Sequence, residues 1–503
     1  MIVEEKNMNS FCGQKRFRAL RVFSCALCIS LLAAVAAGCQ PSDGPEKSLD
    51  PQNPVAIEVW HYYNGPQKSA FDAMVNEFNE TVGVEKGIVV ESFSQGNISD
   101  LTDKVLDAAN KKVGASDIPD IFAAYADTAY AVDKVGLVAK LDDYLTTEEL
   151  SEYVDGYIDE GRLGQDSSLK IFPVAKSTEV FMMNKTDWDK FAAATGASAD
   201  DLATYEGVTK TAKKYYEWTD SQTDALDDGK AFFGRDAMAN YFVIGFKQLG
   251  KDIFQVEDGK VRFNLDEDIL KRLWDNYYIP TINGYFASYG KFRSDDAKTG
   301  DIIALIGSTS GAAYFPRQVV TSDTESYPID VVTMPTPLFE GAEPYAVQQG
   351  AGMVVSKSDT AHEYASVVFL KWFTETSRNI EFSAGSGYLP VKKAANDKAL
   401  IEGALSKLED NTVSANLKTS LPIGVDLVNN YTMYTNKAFE NGTKARDVLE
   451  YSLSDKAKED LEQIAEMMKQ GLSRQEAVAK YETEENFQSW LAALRQALDK
   501  TQS

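Results

Sequence analysis

Apolar positions along the chain follow two alternating periods. Residues 55–63 (VAIEVWHYY) are dense in β-branched and aromatic side chains and predict a strand. Asn64-Gly65-Pro66 ends the run, and proline suits the first turn of a helix. Phe71, Met74, Val75, Phe78 and Val82 then recur at helical spacing. Residues 87–93 predict a second strand. Ser99 is placed to cap a helix carrying Leu101, Val105, Ala108 and Ala109, and residues 118–125 predict a third strand. Ala129, Val132 and Val135 mark another helix, which Gly136 can stop. Strand and helix in regular alternation predict a largely parallel sheet covered on both faces.

The rest of the chain varies this theme. Asp258-Gly259 sits between β-type flanks and predicts a hairpin over 255–263. Residues 266–278 read as a helix with Ile269, Leu270, Leu273 and Trp274 on one face. Residues 301–306 read as a buried strand ending at Gly307, and 364–373 as a helix. The last fifty residues are helical in pattern. Ser454 is read as the cap of one helix that Gly471 closes, and Ser473 with Glu476 forms a capping box. Phe487, Trp490, Leu491, Leu494 and Leu498 make a final stripe, read as core packing.

The N-terminus has a different character. Lys15, Arg16, Arg18 and Arg21 precede an apolar run at 22–38, the pattern of a secretory signal at 1–38. The run ends Ala36-Ala37-Gly38-Cys39, which resembles the lipobox of bacterial lipoproteins. That resemblance implies a diacylated Cys39, hence anchoring by two chains on the extracytoplasmic face of the cell membrane. Ala36 stands where that motif usually has leucine. Residues 39–54, rich in proline and polar side chains, then read as a flexible tether.

Composition removes several function classes. The 503 residues are ample for two or more domains. Lys plus Arg number 51 against 76 Asp plus Glu, a formal charge of -25, which repels nucleic acid and gives no attraction to anionic lipid. Cys12, Cys25, Cys28 and Cys39 all precede the body, so the body has no disulfide framework, cysteine-based zinc site or cysteine nucleophile. His61 and His362 are the only imidazoles, and neither has a second ligand at metal spacing. No phosphate loop and no H-E-x-x-H motif occurs. Residues 307–311 (GSTSG) look like a nucleophile elbow with Thr in the middle. Ser288…Lys291 and Lys298-Thr299-Gly300 match S-x-x-K and K-T-G, but lie too close together for a penicillin-interacting enzyme. A glycosidase-type carboxylate pair stays open, because acidic residues abound.

Several dispersed motifs point one way. They are Trp60-His61-Tyr62, residues 93–101 (FSQGNISDL), Pro119-Asp120-Ile121-Phe122, 171–185 (IFPVAKSTEVFMMNK), 304–310 (ALIGSTS) and 387–391 (GYLPV). In this order, over about 55–395, they resemble the extracellular solute-binding proteins of ABC importers, the class with maltose-, oligosaccharide- and glycerol-phosphate-binding members. The resemblance implies an α/β, two-lobe periplasmic-binding-protein-like fold of type II, with parallel-rich sheets and a hinge between lobes. Lobe I is expected at 55–173 plus 302–345, and lobe II at 174–301 plus 346–503. About 110 residues follow Val391, more than the family usually has. They are expected either to pack on lobe II or to form a partner surface.

The implied mechanism is capture in a cleft at the carboxyl ends of strands, closure, and delivery to permease subunits by a monomer that uses no cofactor or metal and breaks no bond. The cargo expected is a mono- or oligosaccharide. A polyol phosphate or an extracytoplasmic glycosidase is the alternative. Trp60, His61 and Tyr62 are candidates to meet a sugar, although alternation sends only one of Trp60 and His61 inward. Ser94, Gln95 and Asn97 follow the second strand, with turn chemistry as the plain reading. Tyr125 and Asp127 follow the third, where Asp127 also suits a helix cap. Ser177 and Thr178 begin the expected second lobe. Ser308, Thr309 and Ser310 follow a buried strand. Gln349, Gly350 and Ala351 allow close backbone approach, and Tyr388 is either a cleft wall or packing. Lys176 and Arg317 could meet an anionic ligand, with solvated surface as the plain reading.

Overall fold

The structure, a computed structural model, describes residues 44–502 apart from Gln165 and Asp258. The signal reading, the lipobox and Cys39 therefore lie outside the described residues. Within the tether, Pro45–Ser48 forms a 3-10 turn. It belongs to a compact unit separate from the one that begins at Leu49. The end of the expected tether is not free: Leu49 packs on the first core, and the Asp50 carbonyl approaches Gly87 where a Cβ would not fit. Gly87 has φ +74, which glycine adopts without cost.

The larger unit is organised by two sheets. The first runs Ile88–Ser94, Val55–His61, Ile121–Ala124, Gly352–Val355, Ile171–Phe172. Its first two pairings are parallel and its last two antiparallel. The second runs Val331–Pro335, Glu179–Asn184, Ala304–Ser308, Phe233–Arg235, with only the last pairing parallel. The sheets are thus mixed where strand-helix alternation predicted largely parallel ones. The cause is the path of the chain. A strand returning from the other sheet, such as Gly352–Val355, inserts between Ile121–Ala124 and Ile171–Phe172 and runs against both.

The same path corrects the expected lobe boundaries. Ala304–Ser308 and Val331–Pro335 pair with Glu179–Asn184, so they belong with the second sheet and not the first. Gly352–Val355 pairs with Ile121–Ala124, and the helix Thr360–Phe373 packs on that first core. Residues 304–308 bury both faces and have no solvent side to reveal their partner, so pattern alone assigns them to neither sheet.

Each sheet has its own core. Ile57, Phe71, Phe78, Phe122, Phe369 and Trp372 fill the first; Phe181, Phe191, Phe242, Trp274 and Tyr278 fill the second. The C-terminal helices Gly442–Lys469 and Glu484–Thr501 belong to the second core through Leu449, Leu453, Ile464, Trp490 and Leu494. Two local readings change. Asn97, not Ser99, caps Ile98–Ala109, its Oδ1 accepting from the amides of Ser99 at 2.8 Å and Asp100 at 3.0 Å. Ser454 lies inside its helix and donates to the Glu450 carbonyl. The hairpin forms from Phe254–Glu257 and Lys260–Phe263 with Gly259 at φ +71; Asp258 itself is outside the described residues. No helix among the described residues is long and apolar enough to cross a membrane.

The C-terminal helices are integral if this packing holds. Leu453→Ala removes a fully buried side chain from the second core. It should cost about 2–5 kcal/mol of unfolding free energy by urea titration. A loss near zero would show that these helices are a dispensable appendage.

Candidate functional site

The two sheets are joined where three stretches of chain lie side by side. Ser177 donates to the Gln349 carbonyl at 2.8 Å, and Gln349 donates back to Ser177 at 3.0 Å. Lys176 and Leu389 exchange the same pair of bonds, at 3.1 and 2.5 Å. Gly350, at φ +94, makes the fit possible, since a Cβ there would press on the Ala175, Lys176 and Ser177 backbone at 3.2–3.4 Å. Lys176 is not solvated surface. It is buried, and its Nζ donates to Glu160 Oε2 at 2.6 Å and to the Gly350 carbonyl at 2.7 Å. A buried ion pair contributes little net stability, but removing either partner leaves an uncompensated buried charge.

Carboxyl ends of strands face this junction from both sides. On the first side, Tyr62 and Tyr388 share a hydroxyl contact at 3.1 Å, and the Ala351 amide donates to the Tyr62 oxygen at 3.4 Å. Burial pushes the Tyr62 phenol well up from its ordinary value, so it stays protonated and able to donate. Tyr125 follows the strand Ile121–Ala124 and is 42% exposed as a residue, while burial around its hydroxyl pushes the phenol up.

On the second side, a chain of polar groups is already satisfied. Arg235 donates to Glu179 Oε2 at 3.0 Å. Asn240 donates to Glu179 Oε1 at 2.9 Å and to Gln349 Oε1 at 2.8 Å. Arg446 donates to Asn240 Oδ1 at 2.7 Å. Ser308 and Ser310 hydroxyls lie 3.1 Å apart, and the Gly311 amide donates to Ser308 Oγ. The hydroxyls of Thr178 and Thr309 are buried without a hydrogen-bond partner. Gln67, from the helix Gly65–Phe78, reaches the Ser310 carbonyl at 3.5 Å, so the two sides meet here.

The structure therefore brings Tyr62, Tyr125, Tyr388, Ser177, Thr178, Ser308, Thr309, Ser310, Gln349 and Gly350 to one region. It removes others from it. Trp60 belongs to the first core and donates to Glu58 at 2.5 Å. His61 is fully buried; its Nδ1 accepts from the Tyr63 amide at 3.1 Å, and its ring packs on Tyr63 and Phe71. Both are buried because Val55–His61 is a central strand with both faces covered, so alternation selects between two interiors. Ser94 donates to the Tyr63 carbonyl, Gln95 accepts from Lys104, and Asn97 is the helix cap. Asp127 stays at the rim of the region, within electrostatic reach of Arg446 and Glu160; it accepts from the Phe439 amide at 3.3 Å and abuts Gly442, and burial, opposed by Arg446, pushes its carboxyl up to about 6. Glu160, Glu179, Arg235, Asn240 and Arg446 were missed. Arg446 lies beyond every quoted motif, and no local signal marks it.

His61 makes the fold sensitive to acid. Burial lowers its imidazole from 6.5 to about 4. Between those values the unfolded chain binds more protons, so stability from this group is complete above pH 6.5 and lost as pH falls toward 4. The loss should be on the order of 3 kcal/mol at most. Urea titrations between pH 7 and 4 should show this slope flattened in His61→Leu; an unchanged slope would contradict the assignment.

Comparison with known proteins follows this geometry. Residues 73–410 match the family described as bacterial extracellular solute-binding protein. No curated protein matches the chain. Among solved structures, the chain is similar to the cyclic alpha-maltosyl-1,6-maltose binding protein from Arthrobacter globiformis. There the identity is 19% over 89% of this chain and 99% of that one, with a TM-score of 0.63. It is also similar to UgpB from Mycobacterium tuberculosis, solved with glycerophosphocholine, at 18% identity, 89% and 100% coverage, and TM-score 0.61. A third is the maltose/maltodextrin-binding domain MalE from Bdellovibrio bacteriovorus, bound to maltotriose, at 16% identity, 88% and 100% coverage, and TM-score 0.57. At these identities the likeness speaks for the two-lobe fold.

Proposed function

The chain belongs to the bacterial extracellular solute-binding proteins, and from that membership we propose that it is the substrate-binding component of an ABC importer for an uncharged mono- or oligosaccharide. The observation that carries the reading is the pairing of tyrosines with neutral donors and acceptors across the junction of the two sheets. Tyr125 offers a ring face, Tyr62 a hydroxyl, and Ser308, Ser310 and Gln349 hydroxyl and amide groups. Sugars present apolar faces and a hydroxyl rim, which suits such a lining. Proteins of this fold from Arthrobacter globiformis and Bdellovibrio bacteriovorus are named for, or solved with, maltosyl sugars, which agrees with it.

A ligand touching both sides stabilises the closed arrangement and shifts the population toward it, which is the state a permease would receive. The chain acts as a monomer, makes and breaks no bond, and takes no cofactor. Cys39, outside the described residues, carries the lipid that holds it to the membrane. The polyol-phosphate reading is less well supported. Lys176 and Arg235 are neutralised by Glu160 and Glu179, and Arg446 is already engaged by the amides of Asn240 and Asn436, so a phosphate would have one guanidinium to meet at the junction.

Calorimetry against a panel of malto- and other oligosaccharides and glycerol phosphates should find a saccharide bound at about 1 μM, roughly −8 kcal/mol. Tyr125→Ala should weaken it at least tenfold, and the saccharide should be recovered intact. Tight binding only of the phosphates, or recovery of cleaved sugar, would refute the reading. Growth with labelled palmitate should label the wild-type chain and leave Cys39→Ser unlabelled; equal labelling would remove the anchor from Cys39.

A further inference from the structure

Downstream of Ser310 the chain turns through Ala312–Tyr314 and runs to Gln318. Beside this stretch lies a cavity of about 470 Å³, lined by Lys298, Tyr314, Arg317, Gln318 and Thr412 together with Ala313, Phe315 and Pro316. No carboxylate lines it, although the chain as a whole carries a charge of -25. On so acidic a protein, a pocket walled by two cations and no acid needs a reason.

Arg317 supplies the strongest part of it. Its guanidinium is half-buried and has no ion pair among the described residues; its Nε donates to Asn416 Oδ1 at 2.7 Å. Asn416 is itself 1% exposed, and its Nδ2 donates to the Phe315 carbonyl at 2.8 Å. A neutral, buried amide thus holds the guanidinium in place and leaves its terminal nitrogens uncompensated. Burial pushes Arg317 down from its ordinary range, with Asp330 opposing. Lys298 lies in the last turn of Arg293–Thr299, and its ammonium has no ion pair among the described residues. Tyr314, 56% exposed, and Thr412 add hydroxyls.

We propose that this cavity is a binding site for an oxyanion group, a phosphate or a carboxylate, held by the fork of Arg317 and the ammonium of Lys298. A planar guanidinium matches two oxygens of such a group, and a lysine supplies a point charge beside it. The cavity lies beyond Ser310 along the chain, and its anion chemistry does not depend on the saccharide reading. Phosphate and carboxylate share this chemistry, and the test separates them.

The experiment is calorimetric titration of the full chain at low ionic strength with inorganic phosphate and, in a second arm, with citrate. Saturable binding of one or both is expected, weakening as salt is added. The arm that binds identifies the source. Arg317→Met should lose at least tenfold in affinity and Lys298→Met several-fold, with saccharide titration unchanged in both. Asn416→Asp places a carboxylate on Arg317 and should abolish anion binding, while thermal melting confirms that it folds. Absence of saturable binding to either anion in the wild type would overturn the proposal. So would equal binding by wild type, Arg317→Met and Asn416→Asp.

Discussion

The backbone exchange between Ser177 and Gln349, and its counterpart between Lys176 and Leu389, is the constraint on which the rest depends. These bonds tie together strands that belong to different sheets at one narrow place. They decide which strand ends face each other. The buried Lys176–Glu160 pair lies at the same place, and Gly350 supplies the backbone shape that no side chain would tolerate there. Tyr62, Tyr125 and Tyr388 on one side, and Ser308, Ser310 and Asn240 on the other, acquire their common location from these few residues.

The polarity of the junction has a consistent logic. Two of its cations are consumed by acids, Lys176 by Glu160 and Arg235 by Glu179, while Arg446 is held by the amides of Asn240 and Asn436. What remains for a visitor is mostly uncharged: phenol, hydroxyl, amide and the buried Thr178 and Thr309 hydroxyls without partners. An uncharged polyhydroxyl ligand pays no ionic desolvation there and gains from each fixed donor. The oxyanion pocket at Arg317 differs in its walls, which carry two cations and no carboxylate.

Much of the fold was legible in the chain, and the illegible parts have physical reasons. The strands and helices between residues 55 and 134 follow from apolar period and turn residues, because the three strands there lie side by side in one sheet. Lobe membership of 304–308 and 352–355 was not legible, because fully buried strands carry no solvent face to give away their partner. Trp60 and His61 were misread for the same reason: a strand covered on both faces buries consecutive residues. Tyr62, Tyr125 and the 308–310 hydroxyls were visible as polar or aromatic groups just past strand ends. Arg446 was invisible, since it arrives from a helix whose distance in sequence says nothing of its place beside Asn240.

A junction this narrow, with a polar lining on both sides, is a hinge only if cargo draws the sides together. Small-angle scattering of the same chain, free and saturated with the saccharide that calorimetry selects, measures this directly. Closure predicts a smaller radius of gyration in the saturated sample. Identical scattering curves at full saturation would mean that the two sheets form one rigid body and that capture by closure is wrong.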